Sequence, residues 1–266
     1  MSVSYDAVVI GAGIVGAACA CELAHAGMRT AIVEAGTVGG GATAAGMGHV
    51  VIMDDSPAQF ALTRYSQSLW TELAPHLPAD AEYDRCGTLW IAADEDELQE
   101  VYRKCALFTS TGISAEILDS QSLADAEPNL RRPLTGALCV PSDAILHASA
   151  VAVYLIALAQ EAGAKLYLGG KVESAKDGKV LLADGSSIST PHIIHATGAS
   201  AVELLPQLQI RKRKGHVIVT DDHPNFAHHQ IAELGYLKSA HSVESDSVAF
   251  NVQPRRSGKL LIGSSR

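Results

Sequence analysis

The chain has 266 residues, 47% of them hydrophobic and 18% charged, which is enough to bury a large core and far from a disordered composition. A formal net charge of -9 argues against the basic surface that nucleic-acid binding requires. The five cysteines, an odd number with no CxxC pair, argue against a disulfide framework and for a reducing compartment.

Residues 5–10 (YDAVVI) form a short continuous apolar run, as expected of a strand buried on both faces. Residues 14–27 follow with small and apolar residues at helical spacing, and Gly27 is placed to end that helix. This apolar start lacks a basic leader, carries Asp6 and is interrupted by glycines, so it does not read as a signal peptide. No run approaches the roughly 18 apolar residues of a membrane span, so a cytoplasmic protein is expected, with peripheral association at the inner membrane face left open. A second buried strand is predicted over 29–34, and a bare loop, GGGATAAGMGHV, occupies 39–50.

The spacing next predicts a long helix over 57–77, with Phe60, Leu62, Tyr65, Leu69, Leu73 and Leu77 on or near one face and Trp70 in the core. A strand over 86–95 leads into a charged helix from Asp94 to about residue 111. A strand over 136–141 and an apolar helix over 148–163 come next. Residues 164–185 read as strand, strand, turn, strand, with KDGK and ADGS supplying hairpin turns. HIIHATGAS (192–200) reads as a buried strand ending in small residues. The last third reads as an antiparallel set with helix only around 200–205. The basic run Arg211, Lys212, Arg213, Lys214 is expected to be a solvated turn.

A chain that opens as βαβ, departs, returns to nucleotide-type strands and departs again implies two interleaved domains. The expected segments are 1–80 and 146–205 for a nucleotide-binding domain and 81–145 and 206–266 for a second, α+β domain on an antiparallel sheet.

The chemistry is concentrated near the start. Gly11-Ala12-Gly13-Ile14-Val15-Gly16 follows a strand, opens a helix and has Glu34 at the end of the next strand. Gly11 allows the tight turn, Gly13 lets the backbone approach a pyrophosphate, and Gly16 lets helix and strand pack closely. Free N–H groups at the positive helix end favour phosphate, while Glu34 accepts ribose hydroxyls and repels a 2′-phosphate. The loop over 39–48 separates FAD from NAD, because its bare backbone can lie against a large flat group with Thr43 as a hydroxyl donor.

The N-terminal unit together with GTVGGGATAAGMG resembles the FAD-dependent amine and amino-acid oxidases, the group of glycine oxidase, sarcosine oxidase and D-amino-acid dehydrogenase. Later segments, RKGHVIVTD, GYLKSAH and VAFNVQPRRSGKLLIGSSR, look most like the flavin subunits of D-hydroxyproline dehydrogenase, octopine oxidase and cyanide-forming glycine dehydrogenase. The resemblance implies a Rossmann-like FAD-binding domain of three-layer ββα form interleaved with the substrate domain. It implies FAD contacts at Gly11, Gly13, Ile14, Val15, Gly16, Glu34, Ala35, Thr43, Ala45, Gly46 and Met47. It also implies a backbone contact at Val172 and a small-residue turn at Thr197 and Gly198.

The implied reaction transfers a hydride from the substrate Cα to flavin, leaving an imine that water hydrolyses. Substrates would be glycine, D-amino acids or hydroxyproline, with partner subunits in a larger assembly. The family pattern continues past Arg266 and carries its carboxylate-binding arginine there, so a truncated chain with an open flavin pocket is expected. Neither Arg255 nor Arg256 matches that arginine.

His49, directly after the flavin loop, is a candidate to face ring or substrate; the plainer alternative is a strand-start histidine bonded to backbone. Asn251, alternating with Phe250 and Val252, is a candidate pocket side chain. His223, His228 and His229 lack a supporting ligand pattern and read as a solvated loop, with no metal expected. An NAD-dependent dehydrogenase and a non-catalytic flavin-binding subunit are the competing readings.

Overall fold

The computed structural model describes residues 3–212, 214–235 and 248–265. Its elements begin with β1 (Val3–Ser4), β2 (Ala7–Ile10), α1 (Ile14–His25), β3 (Thr30–Glu34), α2 (Ala42–Ala45), β4 (His49–Val50) and α3 (Pro57–Leu73). They continue with β5 (Thr88–Ala92), α4 (Glu95–Ser110), β6 (Glu116–Asp119), α5 (Ser120–Ala126), β7 (Gly136–Val140), β8 (Ala144–Ile145) and α6 (Ala148–Glu161). Next come β9 (Lys165–Leu168), β10 (Val172–Lys176), β11 (Lys179–Leu182), β12 (Ser187–Ser189) and β13 (His192–His195). The last are α7 (Ala201–Leu204), β14 (His216–Val219), β15 (Gln230–Glu233), β16 (Val248–Pro254) and β17 (Leu260–Ser265).

The chain divides into two compact units, one of residues 1–48, 77–81 and 147–212 and one of residues 49–76, 82–146 and 213–266. The chain therefore leaves the first unit at 48 rather than near 80, and α3 groups with the second unit.

In the first unit a parallel sheet runs β13-β2-β3-β9. Its central strands are apolar on both faces, as a sheet covered on both sides requires. One face packs Val8, Ile10, Ala31 and Val33 onto Val180, Leu182 and Ile188 of the small sheet β1-β12-β11-β10. The other is covered by α1, whose buried residues Gly16, Ala17, Ala20, Cys21 and Ala24 are all small and let α6 approach closely. This is the three-layer arrangement that the resemblance implies. Gly27, at φ +80, closes α1 with its N–H on the Ala24 carbonyl.

The second unit is built on a seven-stranded sheet, β14-β17-β16-β15-β5-β7-β6. It is mixed rather than wholly antiparallel: β15 runs parallel to β5, with Gln230 opposite Thr88, while its other pairs are antiparallel. Trp90, Ala92, Leu138, Val140 and Ala232 pack one face with Val101 and Phe108 of α4. Leu89, Ile91, Ala137, Ile231 and Val252 pack the other with Leu123 of α5.

Two features depart from the sequence reading. The β6–α5 step was not legible, although Asp119 caps α5 by accepting the Ser122 N–H. The predicted face of α3 is also only partly turned inward: Phe60 and Leu73 are half-buried, whereas Leu62, Tyr65 and Leu69 are 66%, 64% and 46% exposed. The inward line is Phe60, Thr63 and Gln67. Phe60 stacks on Phe108, the Thr63 hydroxyl accepts the Met53 N–H, and the Gln67 amide donates to Asp143. Polar side chains on the inward line hid the true face from a reading based on apolar period. Segment 236–247, with most of GYLKSAH, and Arg213 of the basic run lie outside the described residues; Arg211, Lys212 and Lys214 are exposed.

Candidate functional site

Between β2 and α1 the chain turns within three residues. Gly11 sits at φ +103, and a Cβ there would lie 2.5 Å from the Ala196 carbonyl oxygen. A Cβ on Gly16 would fall 1.9 Å from the Gly11 oxygen. Both glycines are therefore dictated by close backbone approach, and the approach brings Ala196 and Thr197 against the turn. The Thr197 hydroxyl is buried there with no partner among the described residues. The first N–H groups of any helix lack intrahelical acceptors. In α1 the Ile14 N–H is taken by the Thr43 hydroxyl oxygen at 3.0 Å, which leaves the hydroxyl proton free to donate. Val15, in the same first turn, is 65% exposed despite its apolar side chain.

Glu34 ends β3 with its carboxylate turned back over this turn. One oxygen accepts the Ala12 N–H and the other the Gly36 N–H, each at 2.7 Å. Each oxygen keeps a second lone pair for a hydroxyl. Ala35 beside it is exposed. The loop after Gly39 folds into α2, which carries Thr43 and Ala45, and Gly46 and Met47 lead out of it. The Glu34 carbonyl accepts the Gly170 N–H, two residues before Val172 opens β10. Gly198, at φ +55, starts the 3-10 turn Gly198–Ser200. Four of the expected segments thus meet: 11–16, Glu34, Thr43 and Thr197.

The set suits FAD. A flat backbone shelf stripped of Cβ atoms, a helix N-terminus, a hydroxyl with a free proton and an acceptor carboxylate match a pyrophosphate followed by a ribose diol. The orphaned Thr197 hydroxyl supplies a further polar atom on that shelf.

In the second unit His49 opens β4 opposite Ile145 of β8. Surrounding protein depresses its imidazole to about 4 through desolvation. The side chain nonetheless keeps exposed surface, which tempers that desolvation, so the direction is what stands: a neutral ring at pH 7. Asn251 is buried in β16 between Ala232 and Gly263, on the face opposite Phe250 and Val252.

Several buried polar groups were not legible in the sequence. Asp143, in the β7–β8 turn, is fully buried, and burial pushes its carboxyl up to about 7. Its Oδ1 accepts from the Ile52 N–H at 3.3 Å and the Gln67 amide at 3.0 Å. The Thr88 hydroxyl lies close enough to favour the charged form but outside hydrogen-bond geometry, and Asp143 Oδ2 is unpartnered. Gln230 and Gln253 also carry buried atoms without partners. Two residues beyond Ile52, Asp54 is buried against Lys104 and Arg103, and Lys104 lies over the Trp90 and Phe108 rings. The segment after His49 is therefore pinned at Ile52, Met53 and Asp54 in succession. Burial pushes the Cys86 and Cys139 thiols up to about 12 and about 11, so neither is a nucleophile at pH 7.

His223 and His228 are exposed, as a solvated loop requires, whereas His229 is half-buried. His229 Nδ1 lies 2.8 Å from the buried Glu127 carboxylate, and His223 packs at a tilt on Phe226. Among the described residues no group of His, Cys, Asp or Glu is placed to hold a metal ion.

The fold and the dinucleotide shelf define a class of flavin-dependent oxidoreductases. The sequence pattern of the DAO family, described as FAD dependent oxidoreductase, matches residues 6–266, and the chain belongs to that family. It is 31% identical over 215 residues to glycine oxidase of Geobacillus kaustophilus (strain HTA426), covering 77% of this chain and 57% of that protein. To an opine oxidase subunit of Rhizobium meliloti it is 24% identical over 236 residues, covering 81% of this chain and 63% of that one. The crystal structure of glycine oxidase from Bacillus cereus ATCC 14579 superimposes with a TM-score of 0.84 at 23% identity, over 98% of this chain and 70% of that chain. The chain thus spans a little over half the length of the first of these relatives.

Proposed function

We propose that this chain acts in the FAD-dependent oxidation of the C–N bond of a small amino acid of the glycine, D-amino-acid or hydroxyproline type. The observation that carries the reading is the shelf of Gly11, Gly16, Glu34, Thr43 and Thr197 in a chain of the DAO family. Bound FAD supplies a two-electron acceptor. In this reading Gly13 and Val15 would present backbone to the pyrophosphate, Gly16 would let α1 pack on the turn, Thr43 would donate to the pyrophosphate, and Glu34 with Ala35 would hold the ribose. Ala45, Gly46 and Met47 lie along the flavin, and Val172, Thr197 and Gly198 complete the contacts.

His49 and Asn251 are our candidates for substrate contact. A neutral His49 is suited to contact the substrate as a hydrogen-bonding group, while the desolvation that disfavours its imidazolium argues against it as the base for a substrate ammonium. Likeness to glycine oxidase supports the amino-acid substrate, and likeness to a protein named as a subunit supports a hetero-oligomeric partner. No helix among the described residues is long and apolar enough to cross a membrane. The test is an anaerobic titration of the flavin-loaded protein with glycine, D-hydroxyproline and opine-type amines. Bleaching of the flavin spectrum by one of them is expected. Reduction by NADH with no response to any amine would refute the reading, and bound flavin that no amine or NADH bleaches would favour a non-catalytic subunit.

A further inference from the structure

The second unit holds a cavity of about 280 Å³ against β5, β15 and β16. Ile91, Leu134, Ile231 and Val252 form its apolar walls, and Phe226 and Phe250 stand at its mouth, 46% and 39% exposed. Strand alternation sets it on the face of the sheet opposite Asn251, because Phe250 and Val252 line it. A carboxylate is built into this apolar wall: Glu127, only 1% exposed. Its Oε1 accepts three N–H groups, from the His228 backbone at 2.8 Å, the His229 backbone at 2.7 Å and the His229 ring at 2.8 Å. None of these bonds uses Oε2.

Three donors fix the carboxylate in one orientation, as in sites whose polar groups are held ready for a ligand. Lining residues add a second acid, the half-buried Glu233, and one base, the exposed Arg131. An anion would meet two acids in the lining against one exposed base, and a neutral apolar molecule would desolvate the Glu127 carboxylate without giving Oε2 a donor. A cation with an apolar body satisfies both walls and floor, with the two phenyl rings offering their faces at the mouth.

We propose that this cavity binds a small organic ammonium carrying a compact hydrocarbon or aryl group, whose N–H donates to Glu127 Oε2. The proposal is independent of the amino-acid oxidation reading, since the site needs no carboxylate partner and lies on the other sheet face from Asn251.

The test is calorimetric titration of the flavin-loaded full chain with three matched probes: phenethylamine, 2-phenylethanol and phenylacetate. Phenethylamine is expected to bind with the flavin spectrum unchanged, and the alcohol and acid to bind at least about tenfold more weakly. Glu127→Gln, which keeps an Oε1 acceptor for the three N–H groups, should lose that preference. Should Glu127→Gln fail to fold, Phe226→Ala with Phe250→Ala at the exposed mouth should weaken the amine at least about fivefold. Equal binding of all three probes, no binding of the amine, or amine binding that bleaches flavin and ignores both sets of substitutions would overturn the proposal.

Discussion

Replacing Asp143 by Asn should flatten the dependence of stability on pH. Asp143 is fully buried, and burial raises its carboxyl from 3.8 to about 7, against the Thr88 hydroxyl, the Ile52 N–H and the Gln67 amide, which lower it. The folded state therefore keeps a proton that the unfolded chain releases near pH 4. This contribution is fully present below the unfolded value and is lost as pH rises through about 7. Each pH unit in that window costs about 1.4 kcal/mol, so the wild type should lose up to about 3 kcal/mol between pH 5 and pH 8 from this group. Asn cannot ionise, and its Oδ1 still accepts from Ile52 and Gln67. Urea denaturation at pH 5, 6, 7 and 8 gives both curves. The variant should be the less pH-sensitive of the two and the more stable at pH 8. An Asn variant whose slope matches the wild type would refute the assignment of a neutral buried acid at this position.

Glu34→Arg should weaken FAD binding by at least about tenfold, because the ribose acceptor is lost along with the partner of the Ala12 and Gly36 N–H groups; flavin fluorescence quenching measures it. Gly16→Ala should cost at least about 1–3 kcal/mol, because its Cβ would fall 1.9 Å from the Gly11 oxygen, and the loss is read in a denaturation curve. Lys104→Met should cost about 3–5 kcal/mol by leaving Asp54 buried with only the half-exposed Arg103. Restoring stability with the double change of Lys104→Met and Asp54→Leu would confirm that the lost pairing, rather than lost packing, is the cause.

The dinucleotide shelf was legible because it is made of backbone. A site that works by removing side chains leaves glycines at fixed spacing within one βαβ unit, and its only distant partners are an acid and a hydroxyl. The loop after Gly39 showed the same signal, and Thr43 meets the Ile14 N–H. The second unit gave most of its elements, but neither the β6–α5 step nor its polar interior. Thr88 and Gln230 face each other across a parallel pair more than a hundred residues apart in sequence, and nothing local to either marks the contact. The parallel pair itself was hidden for the same reason, since β15 looks like any strand of a meander until β5 is seen beside it.

Asp143 and α3 illustrate how side-chain sites escape a periodic reading. Gln67 sits on the inward line of α3 because Asp143 needs a donor there, and that demand places a polar residue where an amphipathic pattern expects an apolar one. Leu62, Tyr65 and Leu69 then define a false inner face. The departure from the pattern is itself informative. The inward line of α3 mixes Phe60 with the polar Thr63 and Gln67, and through Thr63 on the Met53 N–H and Gln67 on Asp143 it holds the segment around Ile52 and Met53. Residues that fix such a segment are recognisable only once register and packing are known, because their chemistry serves neighbours that are distant in the chain.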